Sequence, residues 1–420
     1  MGNFSAPIPD AVDVVIVGAG IVGGACFHAL STAGRGLRVA CFESSAKLSG
    51  STARSAAAFR HQFSAAVNVQ MSIFASRVYE EFPSRMGTGP VIRRNGYCFV
   101  YRSEDALEAA AARAARQRAL GVPDVEVLDR AALLERFPVL EPRGLAGGTF
   151  CRHDGFVLPD AITNAYFDRG LEIGGCLRQY APVVGFVSEG GRLRGVRVRR
   201  AGEPEREVRA PVVVNAAGPW SNAVSRLAGL EIPMVPVKRY LYFTQQFDRR
   251  DVRDLPLFVV DLEAYCRPEA NGLMMGWDRR PEKPEGWRRF PPPPFDYAAM
   301  DPDRIEAGFG IGPDDYGTEV LAELASVLPF LAEEAGLASV TAGYYEVSPD
   351  EKAIVGWDPR LPGLLHATGF SGHGVMHAPA TAAIVRALVL GEPPPVDPRP
   401  LALEPLLRNE PREDPEEVVI

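Results

Sequence analysis

Lysine is almost missing from this 420-residue chain. Four occur, Lys47, Lys238, Lys283 and Lys352, so arginine carries nearly all of the positive charge. The formal net charge is −8 and no basic stripe is concentrated anywhere, which excludes a nucleic-acid-binding role. Cysteine is sparse: Cys26, Cys41, Cys98, Cys151, Cys176 and Cys266 form no C-x-x-C pair and no metal-ligand spacing with histidine. That excludes a zinc knuckle, predicts no metal, and fits a reducing compartment. Cys26 and Cys41 fall inside apolar periodic runs and read as small core residues. No apolar stretch is long enough to span a bilayer. The opening "MGNFSAPIPDAVD" lacks the charged and apolar regions of a secretory signal, so a cytoplasmic location is expected. Internal repeats are absent too.

What is present is ordinary globular composition, 46% hydrophobic and 23% charged, in a chain longer than one core usually supports. Two domains are expected. "VDVVIVGAGIVGGACFHALSTAG" opens as a buried β run, breaks at glycines and continues at helical spacing. "LRVACFE" follows as a second buried strand ending at Glu43. Residues 102–136 have helical periodicity. "VVGFVSEGGRLRGVRVRR" reads as a hairpin, "PVVVNAAG" as a buried strand, and 236–277 as further strands. "PEKPEGWRRFPPPPFDY" is a proline-rich loop, and "APATAAIVRALVLG" is a helix closed by glycine. The tail after Pro393 reads as a lightly packed extension.

Gly18, Gly20 and Gly23 form G-x-G-x-x-G between a strand and a helix. The first glycine makes the turn, the second admits a pyrophosphate, and the third lets helix and strand pack. Glu43, twenty residues past Gly23, is placed to accept ribose hydroxyls. Dinucleotide binding follows, with NAD and FAD not separated by the motif. In "GSTARSAAAFRHQFS", Ser51, Thr52, Ser55 and Arg54 can add hydrogen bonds and charge at a pyrophosphate; the alternative is a solvated loop before a capped helix. Gly218, after the strand in "VVVNAAGPW", allows backbone to approach a cofactor or simply turns the chain. "GFSGHGVMHAP", residues 369–379, places three glycines and two histidines before a helix. Glycine there implies close approach of backbone to something, or a glycine-rich cap.

In this order, and followed by "GYYEVSPDEKAIVGWDPRLPGLLHATGFSGHGVMHAPAT", these segments resemble the flavoprotein amine oxidoreductases of the D-amino acid oxidase superfamily. The sarcosine oxidase, dimethylglycine dehydrogenase and D-arginine dehydrogenase branches are the most similar. The resemblance implies an α/β fold, with a Rossmann-like FAD-binding domain and a second α+β substrate domain on a mixed or antiparallel sheet. The FAD domain is expected at 10–83, 145–232 and 336–395, the substrate domain at 84–144 and 233–335, and a C-terminal tail at 396–420.

The FAD-binding set so implied is Gly18, Gly20, Ile21, Val22, Gly23, Glu43, Ser44, Ser51, Thr52, Arg54, Ser55, Ala56, Val183, Ala217 and Gly218. Gly372, His373, Gly374, Val375 and Met376 complete it, presenting backbone N–H groups to the pyrimidine side of the flavin. Arg60 matches an arginine that holds the substrate carboxylate, and Tyr345 an active-site tyrosine. Arg60, with Arg239 or Arg267 in support, would position that carboxylate, while Tyr345 and His373 shape the site's polarity; Arg239 reads equally as a surface strand residue. His377 reads as a helix-face residue.

The departures are informative. Gly343 and Arg54 stand where a cysteine and a histidine tether the flavin in two branches, so FAD is expected to be non-covalent. Tyr345 replaces the carboxylate-binding arginine of glycine oxidase and D-arginine dehydrogenase. Met376 replaces a substrate-contacting lysine, which argues against sarcosine, and Met274 replaces a lysine over the flavin that promotes reaction with O₂. The implied chemistry is hydride transfer from an amino acid or N-alkyl amino acid to flavin N5, giving an imine that hydrolyses. A 2-hydroxy acid or polyol dehydrogenase, or a non-catalytic flavoprotein subunit or assembly factor, stays open. So do the electron acceptor (O₂, a dye or a protein) and a homo- or hetero-oligomeric state.

Overall fold

β-Branched runs nucleate the first sheet. "VVIV", Val14–Val17, is buried throughout, and its alternation divides two cores. Val14 and Ile16 face one cluster, while Val15 and Val17 face another. The computed structural model describes residues 7–122, 124–249, 251–279 and 283–418. Six strands form this sheet in the order Ile354–Trp357, Leu364–Thr368, Val212–Asn215, Val14–Val17, Val39–Phe42, Cys176–Arg178. All neighbours are parallel except the first pair. One face is covered by the helices Ile21–Ser31, Pro159–Glu172 and Gly374–Leu390, the last closed by Gly391 at φ +69°. The other face carries the expected hairpin, Val183–Glu189 with Arg192–Val198, extended by Arg206–Arg209. This is the doubly covered, mostly parallel sheet that the sequence implies.

The second layer is an eight-stranded mixed sheet. Its order is Leu337–Val347, Val235–Thr244, Gly272–Trp277, Ala264–Glu269, Leu257–Val260, Tyr97–Tyr101, Gly147–Cys151, Val125–Asp129. Alternation again sorts its residues. Tyr97, Phe99, Leu241, Leu257, Tyr265 and Met274 share one face, whereas Cys98, Val100, Phe258, Cys266 and Met275 share the other. The second group packs on the helices Tyr316–Ala325 and Phe330–Glu334. Strands Gly147–Cys151 and Leu337–Val347 lie within segments expected in the nucleotide-binding domain but pair inside this sheet.

The tail departs from expectation. It is not a lightly packed extension: Arg412, Glu416 and Val418 are buried, and Arg412 pairs with the Asp350 carboxylate. Val396, Leu401, Leu403, Leu406 and Val418 anchor it in the apolar clusters, too widely and irregularly spaced to show a hydrophobic period, and charge pairing adds to them.

Candidate active site

Gly18 turns at φ +106°, and a Cβ there would lie 2.5 Å from the Ala216 carbonyl oxygen. At Gly23 a Cβ would meet Gly18 O at 2.0 Å, so the helix can approach the turn only because residue 23 is glycine. Gly20 differs. Its Cβ would approach only the Thr52 hydroxyl, at 3.0 Å, and it borders an open cleft of about 410 Å³. Gly20, as N-cap, has no side chain to cap helix Ile21–Ser31. Thr52 does so from outside, its Oγ1 accepting from Ile21 N–H at 3.1 Å. Glu43 ends the next strand, where one carboxylate oxygen accepts from Ala19 N–H at 2.8 Å and the other from Ser45 N–H at 3.0 Å.

Ser44, Ser51, Ser55, Ala56, Val183, Ala217 and Gly218 also line the cleft, together with Ile21 and Val22. Ser51 donates to Tyr344 O at 2.6 Å and Ser55 to Thr52 O at 2.9 Å, so these hydroxyls brace the loop. Arg54 pairs with Asp303 at 2.5 Å and donates to the Ser49 carbonyl. A Cβ at Gly343 would sit 3.1 Å from Arg54 Cβ, so the two expected tether positions meet each other.

The N-terminus of helix Gly374–Leu390 opens on the same cleft, so two helix dipoles converge there. The expectation that five N–H groups of this turn face a flavin narrows to three. His373 N–H and Met376 N–H are taken by Phe370 O and His373 O, as a tight helix start requires. Gly372, Gly374 and Val375 line the cleft. Gly372, at φ +91°, has a second function, since a Cβ there would fall 2.5 Å from the Tyr345 ring.

A smaller cavity of about 40 Å³ adjoins the cleft and shares Ser55, Ala56, Tyr265, Tyr345, Gly372 and Val375 with it. Arg60, Tyr97, His373 and Met376 complete its character. Arg60 is buried, with its guanidinium 3.9 Å from the Phe63 ring centroid and 3.2 Å from His373 Nε2. It also donates to the Gln62 and Val418 carbonyls. Burial and the Arg60 charge hold the His373 imidazole well below its ordinary pKa, so it stays neutral. His377, behind it on the helix, is pushed down to about 3 by the same causes. Tyr345 hydrogen-bonds Tyr265, and burial raises both phenols.

Arg239 lines the larger cleft, pairs with half-buried Asp278, and lies 5.6 Å from the Tyr345 ring centroid. Arg267 points elsewhere: it bonds Ala56 O at 2.6 Å and Glu269 at 2.6 Å, and thereby fixes the Ala56 backbone from behind. Met274 packs among the apolar residues of the sheet face that carries Tyr97 and Tyr265.

Sequence reasoning missed Tyr97, Tyr265 and Glu346. The alternation in "YCFVY" marks Tyr97 and Phe99 as one face, but nothing local says what that face meets. Glu346 lines the cleft with its carboxyl buried, accepting from Thr368 Oγ1 at 2.8 Å and Phe370 N–H at 3.4 Å. Burial pushes its pKa up to about 7, against those hydrogen bonds.

The chain matches the family profile of FAD dependent oxidoreductases, DAO, over residues 13–388 and belongs to that family. It is 28% identical to the Xenopus laevis FAD-dependent oxidoreductase domain-containing protein 1, over 91% of this chain and 80% of the relative. Rat (Rattus norvegicus) mitochondrial dimethylglycine dehydrogenase is 26% identical over 94% of this chain and 45% of its own length. The L-proline dehydrogenase structure from P. horikoshii superposes with a TM-score of 0.82 at 24% identity, covering 96% of this chain and all of that one. The protein is thus an FAD-dependent oxidoreductase. The cleft suits FAD: glycine turns that a Cβ would fill, the N-terminus of helix Ile21–Ser31 for a pyrophosphate, a second helix N-terminus at Gly374 on the same cleft, and a carboxylate at a strand end for ribose. Among the described residues, no helix is long and apolar enough to cross a membrane.

Proposed function

We propose that this protein oxidises the C–N bond of an amino acid or N-alkyl amino acid, with FAD held non-covalently in the larger cleft. The observation that carries this reading is the smaller cavity, continuous with the cleft and containing a buried arginine among three tyrosines. FAD, when bound, supplies the two-electron acceptor. Everything else falls to the chain. Arg60 is the fixed cation for a substrate carboxylate, a role in which its planar fork outperforms an ammonium. Tyr97, Tyr265 and Tyr345 pack the substrate's apolar part. Arg239 and Asp278 stiffen Tyr345 from behind.

Among the described residues the smaller cavity has no carboxylate to pair with an ammonium, and buried Arg60 adds a like charge. The amine therefore reacts in its neutral form, aligned rather than deprotonated by a strong base. A 2-hydroxy acid needs an acceptor for its hydroxyl proton. His373, held neutral with a depressed pKa, is a poor one. The amine reading is favoured on that ground. Non-covalent FAD is supported by Gly343 and Arg54, which offer neither thiol nor imidazole where they meet.

Electrons then pass to an acceptor other than O₂. No lysine lines either cavity among the described residues, and Met274 sits in an apolar cluster. The test is anaerobic mixing of the FAD-loaded protein with a panel of amino acids, N-methyl amino acids and 2-hydroxy acids. Bleaching of the flavin band by amines alone supports the reading. Bleaching by hydroxy acids alone overturns it, and fast reoxidation by air with stoichiometric peroxide overturns the acceptor assignment.

A further inference from the structure

At about 40 Å³ the smaller cavity has room for a few waters, not for an amino acid, so a wall has to move. The wall that carries Arg60, Tyr97, Leu257 and Tyr265 is braced from outside the cavity by the C-terminal segment. Val418 packs its side chain into the apolar face with Tyr97, Leu257 and Tyr265, and its carbonyl oxygen accepts from Arg60 Nη2. The segment leading to it is pinned to the start of helix Ala66–Met86, whose N-cap, Ala65, has no side-chain cap. The tail supplies the caps. Glu416 accepts from Ser64 N–H and Ala65 N–H, each at 3.0 Å, and from Asn68 Nδ2 at 2.9 Å. Asp414 accepts from Ala66 N–H at 2.6 Å and pairs with half-exposed Arg116 at 2.6 Å. Two carboxylates thus neutralise the orphan donors and the dipole of a 21-residue helix.

We propose that residues 412–418 are a latch on the substrate cavity, and that a substrate carboxylate displaces the Val418 carbonyl from Arg60. This rests on the reading of Arg60 as the carboxylate anchor. A carbonyl carries a partial charge and a carboxylate a full one, so the exchange replaces a neutral acceptor by a charge-assisted pair. The tail is then released from the cavity side while Arg412, bonded to Asp350 and the Ala353 carbonyl, keeps it attached.

The experiment uses the FAD-loaded protein and benzoate, a carboxylate with no oxidisable C–N bond. Affinity is read from perturbation of the flavin band, and latch opening from amide hydrogen exchange of 414–418. Benzoate is expected to raise exchange there several-fold. The double variant Asp414→Asn with Glu416→Gln is expected to bind benzoate about tenfold more tightly than the wild type. Arg116→Ala, a surface change that leaves helix and tail residues intact, should shift affinity the same way by less. Equal or weaker binding in these variants, with tail exchange unchanged by benzoate, overturns the latch and leaves Arg60 as an anchor. A flavin band that benzoate perturbs in none of the proteins overturns latch and anchor together.

Discussion

Around the larger cleft, seven glycines and the N-termini of two helices present backbone to the space where a dinucleotide fits. Around the smaller cavity, an arginine, a histidine and three tyrosines present side chains, with Gly372 the single glycine. The two regions share a wall yet are specified differently. The cleft depends on what is missing, since each glycine leaves a Cβ out of the way. The cavity depends on groups that arrive from Arg60, Tyr97, Tyr265, Tyr345 and His373, five separate stretches of chain. A backbone site binds a cofactor that every member of a fold needs, whereas a side-chain site can be re-cut for each substrate.

The sharpest way to break this comparison is inside the glycine loop. Gly20→Val puts an isopropyl group into the cleft with only the Thr52 hydroxyl nearby, so the protein should fold but purify without FAD. Its melting temperature should match that of FAD-stripped wild type. Gly23→Val drives a side chain into the Gly18 carbonyl and should lose the fold as well as the flavin. Absorbance ratios and thermal melts separate the two, and full flavin occupancy in Gly20→Val contradicts the cleft assignment. Almost as large is the outcome of acid precipitation. All flavin should stay in the supernatant, and a yellow pellet would show a covalent bond that neither Gly343 nor Arg54 can make.

The cavity is tested next. Arg60→Lys exchanges a bidentate fork for a point charge and should lower kcat/KM for acids by about 10- to 100-fold, the equivalent of losing about 1.5–3 kcal/mol of charge-assisted hydrogen bonding. Ester substrates should change little. An acid-to-ester preference that survives the substitution removes Arg60 from the anchor position.

The subtlest readout, a difference between two stability–pH profiles, concerns Glu346, on the wall of the cleft. Its carboxyl titrates near 4.5 when unfolded and at about 7 in the folded protein. Between those values the unfolded chain carries the charge and the folded one does not. Stability is therefore full below about 4.5, falls as pH rises through this window, and levels off above about 7, by about 3 kcal/mol at most. Glu346→Gln keeps an acceptor for Thr368 and Phe370 but cannot titrate. Its melting temperature should drop less than that of the wild type between pH 5 and pH 7.5. Parallel profiles for the two proteins would show that the carboxyl is ionised throughout.

Much of this was legible in the sequence because it rests on local rules. A short β-branched run such as "VVIV" cut off by glycines reads as a buried strand, the spacing of Gly18, Gly20 and Gly23 fits one turn, and Glu43 ends the next strand at the expected distance. The runs in 236–277 were legible as strands, and the resemblance implied a mixed or antiparallel sheet, although not that strand Gly147–Cys151 would join it. The sequence even marked Arg60 and Tyr345, through resemblance rather than through physics. Tertiary structure decided the rest. That Tyr265 would lie against Tyr345, that Glu346 would be buried at the cleft, and that Val418 would cap Arg60 all depend on contacts between distant segments. Hydrogen bonds and ion pairs across such separations have no period, so only the folded chain shows which charged and aromatic residues meet.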